Sequence, residues 1–132
     1  MTNANKKVNP WLAAAAVLSF ATTGLHVFGG TPEIMVPLHR SDAPMLSKGI
    51  AEVMWNQITL LLLLAGVFFG WAAMRSARAK DLTLALIILY IGIAILFVFS
   101  GMQMFQSLWV MPQWTLFVAM AGLAAIGLKR RA

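Results

Sequence analysis

Four stretches of this chain run apolar without the alternation that marks a half-buried strand: Trp11 to Gly30, Val53 to Met74, Leu82 to Phe105, and a shorter one, Trp114 to Leu128. A helix rising about 1.5 Å per residue needs roughly twenty such residues to cross a hydrocarbon core of about 30 Å. The first three stretches each predict a span of that kind, and the missing period of two excludes a membrane barrel. The fourth is short, so it either recruits Val110 to Gln113, giving a span over 112–128, or sits beside a thinned bilayer. The pattern predicts an all-α membrane protein, an antiparallel four-helix transmembrane bundle forming a single domain over residues 1–132.

Between the first two spans lies the one long polar segment, 31–50. Gly29-Gly30 are expected to end the first helix, and Pro32, Pro37 and Pro44 preclude one uninterrupted helix beyond them. Pro32 to Leu38 reads as a short interfacial stretch. Ser41-Asp42 with Pro44 is a helix start, from which a helix runs unbroken into the second span, pairing Lys48 with Glu52 at i,i+4.

Composition narrows the class. Of the 132 residues, 61% are hydrophobic and only 11% charged, too apolar for a soluble domain of this length. The net charge of +6 does not point to nucleic acid, because the basic residues fall in short clusters between apolar runs. Lys6 and Lys7 precede the first span, Arg75, Arg78 and Lys80 separate the second from the third, and Lys129, Arg130 and Arg131 follow the fourth. The other side carries Arg40 and Lys48 against Glu33, Asp42 and Glu52. Basic residues resist translocation, so both termini are expected in the cytoplasm and residues 31–50 outside. Trp11 and Trp71 then fall at cytoplasmic span ends, and Trp55, Trp109 and Trp114 at outer ones, where indole rings prefer to lie. A competing reading makes Trp11 to Leu18 the core of a signal peptide cleaved near Ser19-Phe20-Ala21. Apolar character continuing through Val27 and Phe28 argues against it. Cysteine is absent from the sequence, which rules out disulfides, thiolate metal sites and cysteine catalysis.

Polar side chains within spans are costly, so their positions carry the functional signal. Ser19, Thr22, Thr23 and His26 share one face of the first helix; Glu52, Asn56 and Thr59 repeat that spacing in the second, and Ser100, Gln103 and Ser107 in the third. Converging stripes would form an outward-facing polar pocket with His26, Glu52, Asn56, Thr59 and Gln103 as candidate ligand contacts. The alternative is interhelical hydrogen bonding that fixes packing and holds no ligand. His26, His39 and Met102, with other outer methionines, are candidate ligands for copper, although Met102 and Met104 diverge on a helix and methionine is a routine packing residue. Gly66 and Gly70 form a small-xxx-small pair, read as packing within the chain, with assembly onto another membrane protein as the alternative. No nucleophile, base and orienting acid form a set, and no phosphate-binding loop is present, so nothing argues for catalysis, and no cofactor is identified. The partners expected are the lipid bilayer and either a small molecule or another membrane protein.

The string Gly24-Leu25-His26-Val27-Phe28-Gly29-Gly30, with Pro37-Leu38, Lys48, Trp55, Thr59 and Pro112-Gln113-Trp114, resembles a group of uncharacterised small bacterial four-span membrane proteins. The resemblance implies an inner-membrane location and four helices, and it brings no established activity. Relatives often have histidine after the tryptophan, where this chain has Asn56, so a site built on two membrane histidines does not carry over.

Overall fold

The computed structural model describes residues 8–75 and 79–130, and they form helices and no strand. Helix α1, Pro10–Gly24, continues without a break into a π-helical segment, Leu25–Met35, and then into α2, Val36–Arg40; α3 is Met45–Met74, α4 Lys80–Phe105 and α5 Trp114–Lys129. The run Pro10–Arg40, α3 and α4 are long and apolar enough to cross a membrane, whereas α5 is a shorter apolar helix. Lys6, Lys7, Arg78 and Arg131, which entered the orientation argument, lie outside the described residues.

Four local expectations are corrected. Gly29-Gly30 do not stop the first helix, and Pro32 to Leu38 is not a separate interfacial stretch, because the backbone widens to π winding around Pro32 and stays helical to Arg40. A proline in an α-helix lacks its N–H and clashes with the carbonyl four residues back; widening the turn relieves that clash. Ser41-Asp42 do not cap α3. Ser41 instead closes α2, donating from Oγ to the Leu38 carbonyl (2.7 Å), and α3 begins after Pro44 with no side-chain cap. The connection from α4 to α5 stays outside the helix through Gln113, so the fourth helix does not recruit Val110 to Gln113 and begins at Trp114. The expectation that one unbroken helix runs from the polar segment between the first two apolar stretches through the second of them holds.

Helix α1 packs along α3 and α5, and α4 packs along α5, while α3 and α4 touch sparingly. At the centre Tyr90 of α4 is fully buried, with Phe69 of α3 and Phe117 of α5 meeting its ring edge-on and its hydroxyl 3.1 Å from Ser19 Oγ of α1. Small residues let the backbones approach: Ala15, Ala16, Ala65, Ala72, Ala121 and Ala124 are all buried. Gly66 faces Phe20, whose ring would lie 2.9 Å from an added Cβ, and Gly70 faces Ala16, so this glycine pair serves contact with α1.

One end is held by Asn9. Its Oδ1 accepts from the Trp11 and Leu12 backbone N–H groups, capping α1; its Nδ2 donates to the Gly127 carbonyl (2.9 Å); its backbone N–H donates to the Ala73 carbonyl (3.0 Å). Arg130 lies over the Trp11 ring at the same end, 5.2 Å from its centroid. Large apolar side chains such as Leu60, Val67, Ile88, Ile95, Leu96 and Phe99 cover the exterior.

Candidate functional site

The polar stripes of the sequence separate into a buried set and an outer set. Ser19 bonds within the core, to Tyr90 and to the Met120 sulfur (3.2 Å), while Thr22 and Thr23 return their hydroxyls to the Leu18 and Ser19 carbonyls of their own helix. These three are packing residues, not the wall of a pocket.

The outer set gathers where the prolonged first helix lies on the first turns of α3. His26 stacks on Trp55, ring centroids 3.9 Å apart and planes 20° from parallel, and its Nε2–H donates to the Trp55 carbonyl (3.1 Å). A carbonyl only accepts, so the proton resides on Nε2, leaving Nδ1 as the ring's acceptor. Thr59 donates to the same carbonyl (3.2 Å), and the Trp55 indole N–H donates to Thr31 Oγ1 (3.2 Å). A Cβ on Gly30 would fall 2.8 Å from the Trp55 ring, so glycine there gives the indole its seat.

One turn further out, His39 Nε2–H donates to Glu52 Oε2 (2.8 Å), both side chains about half exposed. Asn56 Nδ2 donates to Glu52 Oε1 (3.3 Å) and to the Glu52 carbonyl (3.0 Å). Lys48 does not pair with Glu52. Its ammonium caps α2, donating to the His39 (3.0 Å) and Ser41 (2.7 Å) carbonyls, since these end carbonyls lack helical partners and carry the negative end of the helix dipole.

Four sequence candidates, His26, Glu52, Asn56 and Thr59, are therefore brought together along one face of α3, and His39 joins them. Gln103 is exposed on α4 and makes no hydrogen bond among the described residues. Met102 is likewise exposed on α4, and among the described residues no three of His, Asp and Glu are grouped to hold a metal. A shallow groove of about 740 Å³ lies on another face of the same first turns of α3, lined by Met45, Leu46, Ile50, Val53 and Met54 among others. Histidine Nδ1 atoms, the Asn56 carbonyl oxygen and a half-exposed His–Glu pair offer hydrogen bonds and charge to a polar group; among the described residues no hydroxyl nucleophile bonds to either histidine.

Sequence reasoning missed Thr31 and Gly30 as parts of this site, assigned Lys48 to Glu52 instead of to the end of α2, and took Trp55 as an interface marker and as part of the resemblance, not as a member of the site. Spacing held the clue for one: Trp55 precedes Thr59 by four residues and follows Glu52 by three, on the stripe already singled out. Thr31 and Gly30 gave no such signal, because their reach depends on the helix continuing past Gly30. Comparison with protein-family models, curated proteins and solved structures finds no match to this chain.

Proposed function

We propose that this chain is a bacterial inner-membrane protein, an antiparallel four-span bundle with both termini cytoplasmic, that displays a polar head on the outer side for a binding or accessory role. The observation that carries this reading is the gathering of both histidines, Glu52, Asn56 and Thr59 on α3, at the end of the first helix remote from the Asn9 clasp. Polar groups this concentrated on an otherwise apolar chain are costly, which is the reason to give them a task. Orientation rests on the distribution of lysine and arginine, and the bacterial setting on the sequence resemblance. Gln103, exposed on α4, is the one proposed contact that the structure does not bring to these residues. The first helix belongs to the working protein on this reading, since Leu12, Ala15 and Ser19 are fully buried in the bundle.

The test is native mass spectrometry of the detergent-purified chain, wild type against His26→Ala and Asn56→Leu. A specific small-molecule adduct on the wild type that both variants lose is the expected result; wild type carrying only nonspecific lipid removes the ligand-binding reading.

A second reading, a structural subunit of a membrane complex, draws on the apolar groove between Met45 and Gln57. Its signature is a stoichiometric partner that copurifies with wild type and with His26→Ala and is lost in Ile50→Asp. The copper reading rests on the Nδ1 atoms of His26 and His39, whose Nε2 atoms are already engaged, and elemental analysis after copper loading tests it.

A further inference from the structure

The α4–α5 hairpin contains no Asp, Glu, Lys or Arg from Leu82 to Leu128, and this includes its connection, residues 106–113. A connection bathed in water would not normally be so bare of charge. This one also exposes large apolar groups: Trp109 is 69% exposed and Val110 55%, next to Met104 at 72% and Phe105 at 49% on the last turn of α4.

Length says where these groups sit. At about 1.5 Å per residue the 26 residues of α4 reach about 39 Å, enough for the hydrocarbon core, whereas the 16 of α5 reach about 24 Å and fall short of it. Phe97 of α4 stacks on Phe117 of α5, and eight residues of α4 follow that contact while only three of α5 precede it. The connection must close this gap by descending along α4. It does so: Gln106 takes a left-handed conformation (φ 51°) that ends α4, and Ser107 N–H then donates to the Gly101 carbonyl (3.4 Å). The Ser107 carbonyl lies only 2.9 Å from where a Cβ on Gly101 would stand.

Several polar groups are satisfied within the turn. The Trp109 N–H donates to Ser107 Oγ (3.1 Å), the Trp114 indole N–H to the Leu108 carbonyl (3.0 Å), and Thr115 Oγ1 to the Pro112 carbonyl (2.7 Å). Other backbone groups, the Val110 and Met111 N–H among them, make no hydrogen bond among the described residues. Such groups are not tolerated against hydrocarbon, and this sets the depth at the boundary where headgroups and water still reach.

We infer that residues 104–110 form a membrane-embedded anchor, seated in the acyl–headgroup boundary of the leaflet facing away from Lys80 and Lys129, with lipid as the occupant of its apolar face. Trp109 and Trp114, tilted against each other at 5.7 Å between centroids, supply the aromatic pair that such a boundary favours. The turn fills the part of the bilayer that α5 is too short to reach.

Because the chain has no cysteine, single-cysteine variants Trp109→Cys and Val110→Cys can each carry one nitroxide in phosphatidylcholine–phosphatidylglycerol vesicles. Leu96→Cys and Arg40→Cys serve as lipid-facing and aqueous references. The reading is collision with oxygen relative to a water-soluble nickel chelate. The expected ratio at 109 and 110 falls between those at 96 and 40 and is several times that at 40. A ratio at both sites equal to that at 40 places the turn in water and overturns the anchor. Low collision with both relaxants shows protein covering the face, as in association of two copies, and overturns it equally.

Discussion

The direction of hydrogen bonding at Ser19 follows from its partners. Met120 sulfur only accepts, so Ser19 Oγ–H donates to it, and the Tyr90 hydroxyl must then donate to Ser19 Oγ. Ser19→Ala leaves the fully buried Tyr90 hydroxyl without its acceptor, which is expected to lower stability by about 1–2 kcal/mol. Adding Tyr90→Phe removes the orphaned hydroxyl and is expected to restore most of the loss, read as midpoints in detergent-denaturation titrations. A double variant as unstable as the single one would locate the cost in packing instead. Sequence reasoning placed Ser19 on a polar stripe and left open whether the stripe bonds or binds; what it lacked was Tyr90, seventy-one positions away. His26 poses the same problem in reverse. Its position on the stripe was legible, but its stacking on Trp55 depends on which face of α3 turns toward it.

At the scale of elements, the apolar stretches foretold the long helices because hydrophobicity and length are local properties. The prolonged first helix was not legible, since Gly29-Gly30 and Pro32 are stop signals by themselves and only π winding, braced by Trp55 in its seat beside Gly30, carries the backbone through them. That continuation brings His39 to Glu52 and so displaces the expected Lys48–Glu52 pair. Lys48 then holds the end of α2. Lys48→Met is expected to weaken that hold by about 0.5–1 kcal/mol, a two- to fivefold faster hydrogen exchange of the 36–44 amides. Lys48→Arg should exchange nearly as slowly as wild type. Unchanged exchange in Lys48→Met would mean that Ser41 closes the helix unaided.

For the whole molecule, the orientation argued from basic residues is testable because any cysteine introduced stands alone. A membrane-impermeant maleimide is expected to label Arg40→Cys in intact cells and Lys129→Cys only after permeabilisation. The reverse pattern would place the polar head in the cytoplasm. That orientation also divides the chain by what it costs to assemble. On that orientation, inserting the first two helices would move Glu33, Arg40, Asp42, Lys48 and Glu52 to the far side, three acidic groups against two basic ones, and each net elementary charge moved does electrical work of about 2.3 kcal/mol per 100 mV of membrane voltage. The charge-free hairpin from Leu82 to Leu128 moves none. On that orientation its turn would follow α4 across as a passive passenger during synthesis, and an energised membrane would act on the amino-terminal half of this protein while being invisible to the carboxy-terminal half.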